Sequence, residues 1–324
     1  MRRLSPRPQG NPGLFFYAAG GEDLRSFRLQ FYKDVRMMNR LPEWLRQPLP
    51  VRSSREFSGT LSELRVNTVC RESACPNTGV CFSRRQLSFL ILGRRCTRRC
   101  AFCGIALRPA EREPQDRLEP GRVAAAVSRL GIKYAVITSV TRDDLPDGGA
   151  SVFAAAVRAL RESASGTRVE LLIPDFGRSF AALDLVLEQK PEVIGHNIET
   201  VPALFKRVKP GSDPGFSLAL FRRIKMRQPG ILTKSSLMLG MGEKTPEVLD
   251  ALRLLKDNGC DMVTLGQYIA PSGAAFPVAE FVAPERFRAL EDAAREIGFK
   301  AVFSGPLVRS SFMAETLFKE AGGA

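Results

Sequence analysis

From Leu87 onward the chain reads as an α/β fold: short apolar runs of strand length alternate with amphipathic stretches of helical length. Glycine or proline punctuates the joints between them. Repeated strand–helix units call for a parallel sheet joined by right-handed crossovers. Six such units can be counted along the sequence.

The strands are predicted at Leu87–Leu92, Tyr134–Thr138, Val169–Ile173, Val193–Ile198, Thr233–Leu239 and Met262–Gln267. Their length and apolar content suit buried strands better than helices. Helical patterns fall between them at Pro120–Leu130, Gly149–Arg161, Ser179–Glu188, Phe216–Arg227 and Pro246–Asn258, with a sixth at Pro284–Ile297. Thr245–Pro246–Glu247 reads as an N-cap, a proline in the first turn and an early acid. Gly131, Gly259 and Gly298 stand where left-handed C-caps are expected. In barrels the chemistry gathers at the C-terminal ends of the strands. Strand ends carry Thr138, Ser139, Arg142, Asp143, Asn197, Glu199, Lys234 and Gln267 as polar candidates. Asp143, Asp144 and Asp147 also suit the cap of the helix that starts near Gly149. His196, the single histidine, reads as structural.

The bulk numbers agree with one α/β barrel of 324 residues. Hydrophobic residues make up 44%, enough for a core and too many for wholesale disorder. No apolar run approaches the roughly 20 residues needed to cross a bilayer, so no membrane segment is expected. Met1–Gly21 is rich in Arg, Pro and Gly, holds no acid, and lacks the apolar core of an export signal. It reads as a basic leader, and a cytoplasmic location is expected. Formal net charge is +14. Its basic residues are scattered and not interleaved with aromatics, which favours an acidic protein partner over nucleic acid.

The cysteines narrow the chemistry. Six of the seven fall between positions 70 and 103. Cys70, Cys75 and Cys81 are spaced C-x4-C-x5-C in CRESACPNTGVC, and Cys96, Cys100 and Cys103 are spaced C-x3-C-x2-C in CTRRCAFC. Disulfides suit small secreted domains. Structural zinc usually completes four Cys or His ligands, yet these cysteines come in threes beside one histidine. Iron–sulfur clusters take soft thiolate ligands, four to a cluster. Three cysteines leave one iron available for other chemistry. Cys260 stands apart, ahead of an apolar run, and reads as a core residue.

The C-x3-C-x2-C spacing with Phe102 before the last cysteine resembles the radical S-adenosylmethionine (SAM) superfamily. That resemblance implies a partial (β/α)6 barrel of TIM type, with N-terminal and C-terminal extensions. It further implies that the open iron binds the amino and carboxylate groups of SAM, and that one electron then yields a 5′-deoxyadenosyl radical. Phe102, Asn197 and Glu199 are the cofactor-binding candidates. Together the runs LPEWLRQPLP, CRESACPNTGVCF, LILGRRCTRRCAFC, AVITSVTRDDLPDGGA, HNIETVP, VKPGSD, TKSSLMLGMGE, TLGQYIAPS and GPLVRSS resemble the lipoyl synthase family, from about Leu41 to Ala314.

By that resemblance Cys70, Cys75 and Cys81 hold an auxiliary [4Fe–4S] cluster that donates sulfur. Its fourth ligand is a serine of Arg309–Ser310–Ser311, carried to Ser311 with Ser310 as the alternative. Cys96, Cys100 and Cys103 hold the second [4Fe–4S] cluster. The implied reaction inserts two sulfur atoms into an octanoyl chain on a lysine of a lipoyl carrier domain. Such a domain belongs to a 2-oxoacid dehydrogenase subunit or a glycine-cleavage carrier protein. Ferredoxin or flavodoxin would donate electrons, and an iron–sulfur carrier protein would repair the cluster. The implied segments are 1–83 for the leader and auxiliary cysteines, 84–283 for the partial barrel and 284–324 for the serine extension.

Three positions depart from the family pattern: Gly273–Ala274–Ala275–Phe276 replaces a basic, histidine-bearing stretch, Phe312 replaces a tyrosine, and Thr141 replaces an acid. Two other readings compete. One is a different sulfur-inserting radical SAM enzyme, against which the upstream triplet and the serine motif both speak. The other is a non-catalytic cluster carrier, which has no use for SAM cleavage.

Overall fold

One eight-stranded sheet, ordered β1 to β8 along the chain, forms the frame of the molecule. The computed structural model describes residues 41–46, 55–105, 114–271 and 276–323. The basic leader Met1–Gly21 and the segment Gly273–Ala275 lie outside them. The strands are β1 (Asn67–Thr68), β2 (Ser88–Ile91), β3 (Tyr134–Ser139), β4 (Arg168–Leu172), β5 (Val193–Gly195), β6 (Leu232–Leu239), β7 (Met262–Gln267) and β8 (Ala301–Gly305). β1 pairs antiparallel with β2. From β2 to β8 every neighbour is parallel. β1 and β8 are the two edges of this order and are not paired to each other, so the barrel is open.

The six predicted strands appear as β2 to β7 with helices between them, as the apolar runs demand. β8 adds a seventh parallel strand in register with β7, Val263 opposite Val302. Gly131, Gly259 and Gly298 all take positive φ. The cap at the helix Thr245–Asp257 differs from expectation by one residue: Lys244 is the cap, and the Glu247 carboxylate accepts its N–H at 2.7 Å. A reaching acid replaces the threonine hydroxyl there. Cys260 is buried in the core, with 1% exposure.

Side chains alternate across a strand, and the inward set closes one end of the barrel. Tyr134, Val193, Met262 and Ala301 meet Ala314, Leu317 and Phe318 of the C-terminal helix Ala314–Glu320. The Tyr134 and Phe318 rings lie 5.5 Å apart. Beside this floor, Lys234 of β6 and Glu170 of β4 form an ion pair at 1% exposure each, and the Tyr134 hydroxyl donates to Glu170 at 2.8 Å. The end formed by the strands' C-termini is left to hold the site. Among the described residues no helix is long and apolar enough to cross a membrane.

Candidate active site

The loop after β2 carries Cys96, Cys100 and Cys103, and neighbouring strand ends pin it at successive points. Glu119 is buried and accepts the Leu92 N–H at 2.7 Å, fixing the turn where Leu92 and Gly93 both take positive φ. Thr97 N–H donates to the Thr141 carbonyl at 2.9 Å, beyond the end of β3. Arg98 reaches Asp175 beyond β4 with bonds of 2.8 and 2.6 Å, and Asp143 with bonds of 2.9 and 2.7 Å. Ala101 N–H donates to the Val208 carbonyl at 2.9 Å, and Phe276 N–H donates to the Ala101 carbonyl at 3.1 Å. Burial would push the Asp175 carboxyl up, but the hydrogen bonds and charge of Arg98 outweigh it and hold it low. A two-aspartate clamp on one guanidinium is a strong way to fix a loop.

The first triplet folds on itself. Thr68 caps the short helix Val69–Glu72, accepting the Arg71 N–H. Cys75 N–H donates to the Cys70 carbonyl at 3.1 Å, and the Thr78 hydroxyl donates to the carbonyls of Cys75 and Cys70. Cys81 N–H donates to the Asn77 carbonyl at 2.9 Å. β1, paired to β2, seats this knot beside the barrel edge.

The loop after β8 crosses to meet it from the other edge. Asn77, with 2% exposure, donates to the Leu307 carbonyl at 2.6 Å. The Ser88 hydroxyl of β2 donates to Ser311 Oγ at 2.6 Å. Gly266 of β7 makes this approach possible, because a Cβ there would collide with the Val308 carbonyl. Arg309 donates to the Gln267 and Val308 carbonyls, at 3.3 and 2.8 Å.

Cys70 and Cys75 of the first triplet and Cys96, Cys100 and Cys103 of the second line one cavity of about 520 Å³. Phe102, Asn197, Glu199, Ser310 and Ser311 line it too. Cys81 is next to Cys70 and Cys75: burial, and then their charges, push its thiol up to about 12. Burial likewise raises Cys70 to about 11, against an opposing hydrogen bond from the Ser88 amide. It raises Cys100 to about 12, with Lys209 pulling the other way. Arg309 near Cys75 and Arg84 near Cys81 bring positive charge to the first triplet, and Lys209 near Cys100 brings it to the second.

All seven cysteines are free, so no disulfide joins them. Among the described residues no three His, Cys, Asp or Glu side chains are disposed around a single metal ion. A [4Fe–4S] cluster takes its thiolates at separate corners. Crowded, half-buried thiols become stable thiolates only with cationic iron beside them. The donor set therefore fits two clusters, three thiolates each, with Ser311 placed beside the first. Asn197 Oδ1 and Ser139 Oγ are buried without a hydrogen-bond partner on the same cavity. Orphaned polar atoms at a cavity wall fit a polar ligand such as SAM.

Glu199 sits in a left-handed conformation, φ 70°, clamped to β6 by Glu199 N–H to the Ser236 carbonyl and Met238 N–H to the Glu199 carbonyl. Lys209 Nζ donates to the Asn197 carbonyl at 2.7 Å. His196 is structural: Nδ1 lies 2.9 Å from the Ile173 carbonyl, which can only accept, so Nδ1 carries the proton and Nε2 accepts from Ser217. Asp147 caps the following helix through the Gly149 and Ser151 amides, whereas Asp144 pairs with Arg142. Lys234 is held in the buried ion pair, whereas Gln267 lines the cavity and accepts from Val282 N–H. Of the departures, Phe276 is buried with Val208, Met241 and Tyr268, under the Arg207 guanidinium at 5.2 Å.

Sequence reasoning missed Ser88, Asn77, Arg98, Asp175, Lys209 and Gly266. Ser88 did carry a signal, a lone hydroxyl in the apolar run LSFLIL. The others depend on contacts between distant segments.

The Radical SAM superfamily signature matches residues 90–272. A lipoyl synthase of Trichlorobacter lovleyi is 49% identical over 86% of this chain and 98% of its own. One of Caldanaerobacter subterraneus is 47% identical over 86% of this chain and 97% of its own. One of Geobacter sulfurreducens is 50% identical over 86% of this chain and 90% of its own. Among solved structures, methylornithine synthase superposes with a TM-score of 0.52 at 14% identity, over 73% of this chain and 69% of that one. Streptococcus suis SuiB bound to S-adenosylmethionine does so with 0.52 at 12% identity, over 85% and 58%. These two share the fold. With the sequence relatives, the conclusion is direct: the chain belongs to the lipoyl synthase family of the radical SAM superfamily.

Proposed function

We propose that this chain inserts two sulfur atoms into the octanoyl chain of an octanoyl-lysyl carrier domain. One observation carries the reading: Cys70 and Cys75 of the first triplet, all three cysteines of the second, and Ser311 converge on a single cavity at the strand ends. When bound, the clusters and SAM supply hydrogen-abstracting radical chemistry and the sulfur to be inserted. The chain's own residues do the rest. Cys96, Cys100 and Cys103 hold one cluster on a loop that Arg98 clamps. Asn197, Glu199 and Phe102 contact SAM, and the unpartnered Asn197 Oδ1 supports this role. Cys70, Cys75, Cys81 and Ser311 hold the sulfur-donating cluster, and Ser311 is supported over Ser310 by its bond to Ser88. Lys209 and Arg309 offset the negative charge of the thiolate sets.

The carrier is a 2-oxoacid dehydrogenase or glycine-cleavage carrier domain, drawn by the +14 charge if acidic. Electrons come from ferredoxin or flavodoxin, and an iron–sulfur carrier protein renews the consumed cluster. Segment 1–83 serves the auxiliary cluster, 84–283 the radical chemistry and 284–324 the serine ligand. The reaction is cytoplasmic.

The test separates the triplets. Cys75→Ala should still cleave SAM to 5′-deoxyadenosine but form no sulfur-containing product, whereas Cys100→Ala should do neither. Sulfur insertion by Cys75→Ala would overturn the division of labour.

A further inference from the structure

Ser88 is the first residue of β2, 5% exposed, paired with Val136 of β3 and opening onto the cavity. It shares that cavity wall with Cys70 and Cys75 of the first cysteine triplet. Its hydroxyl donates to Ser311 Oγ at 2.6 Å, across the gap between the barrel's unpaired edges. A strand flanked on both sides is rigid, whereas Ser311 arrives on a loop.

We propose that Ser88 is the positioning residue that ties Ser311 to the first triplet and thereby sets how firmly the auxiliary cluster is held. This rests on reading Cys70, Cys75, Cys81 and Ser311 as the ligand set. A hydroxyl has one proton to donate, and Ser88 gives it to Ser311, leaving the Ser311 oxygen aimed and restrained. A serine oxygen bound to iron carries negative charge, and a donor bond to such an oxygen is charge-assisted and strengthened. The hydroxyl of Ser88 thus stabilises the ligated state over the detached one. A weak oxygen ligand steadied by a single neighbouring hydroxyl is a graded hold, suited to a cluster that must be opened in use.

The test uses the full chain with Cys96, Cys100 and Cys103 replaced by Ala, so that only the auxiliary cluster reports. After anaerobic reconstitution, iron release to a ferrous chelator is timed and the cluster's Mössbauer spectrum recorded. Ser88→Ala should release iron about fivefold faster, the equivalent of one lost hydrogen bond. Ser88→Thr keeps the hydroxyl and should match the parent, whereas Ser88→Val, of the same shape, should behave as Ser88→Ala. Because Thr and Val add the same bulk, a packing defect strikes both alike. If Thr and Val release iron equally, the proposal is overturned. Ser311→Ala separates the two layers: release unchanged by it removes the serine-ligand reading itself, whereas faster release with Thr equal to Val removes the role of Ser88 alone.

Discussion

Replacing Gly266 with alanine should empty the auxiliary site while sparing the other one. Gly266 lies on β7 opposite Gly305, under the loop that carries Ser311. A Cβ at this position points at the Val308 carbonyl: the oxygen is far inside the 3.0 Å that real Cβ contacts respect, and the carbonyl carbon is at 2.9 Å. The obstacle is backbone, so no side chain can turn aside; the loop must retreat by about 1 Å. Ser311 follows three residues later, and its bond to Ser88 is 2.6 Å. Lengthened by about 1 Å, it leaves the hydrogen-bond range. Metal ligands tolerate only about 0.2 Å. Overpacking of this kind costs about 1–3 kcal/mol of stability.

Gly305→Ala is the control, since its Cβ meets only the Val308 Cγ2 methyl at 3.3 Å, which can give. Iron counted per chain after reconstitution, together with urea midpoints, reads both effects. The expected result is loss of auxiliary-site iron in Gly266→Ala and near-parent loading in Gly305→Ala. Full loading with parent-like iron release in Gly266→Ala would refute the steric argument.

Other perturbations follow from the same geometry. Glu119→Ala leaves the buried Leu92 amide unsatisfied, a cost of about 1–3 kcal/mol, seen as a lower urea midpoint with looser binding of iron by Cys96, Cys100 and Cys103. Glu170→Ala strands the buried Lys234 charge and should cost about 3–5 kcal/mol, whereas the double change Glu170→Leu with Lys234→Met should recover most of it. Burial, with help from Lys209, lowers His196 to about 3. The folded form resists a proton that the unfolded chain accepts below about 6.5. Its stability contribution is therefore complete above that pH and falls toward pH 3, at on the order of 1.4 kcal/mol per pH unit. His196→Gln should flatten that limb, measured as urea midpoints of both proteins from pH 7.5 to pH 5. Asn197→Leu removes the unpartnered acceptor and should weaken SAM binding about tenfold by equilibrium dialysis.

Much of this was legible in the sequence, and what was not has a physical reason. The apolar runs from Leu87 to Gln267 gave β2 to β7 because strands buried on both faces are continuously hydrophobic. β8, Ala-Val-Phe-Ser-Gly, is short and ends in small residues; it becomes a strand by pairing with β7. β1 is Asn-Thr, with no strand signal of its own, and exists because β2 offers it an edge. The cysteines announced themselves by spacing. Arg98 did not: among many arginines, only the meeting of Asp143 and Asp175 singles it out. Lys234 lies near the start of β6 beside the floor and not at a C-terminal strand end, and Gln267 ends β7. Their partners, Glu170 and Val282, are supplied by distant segments.

The central claim is met most directly by one measurement. The reconstituted protein, held anaerobically with SAM and a reductant, is given an octanoyl-lysyl carrier peptide, and the peptide is weighed by mass spectrometry. A product of dithiolane mass, formed with 5′-deoxyadenosine, is the predicted result. Cleavage of SAM with the octanoyl peptide left unchanged would contradict it.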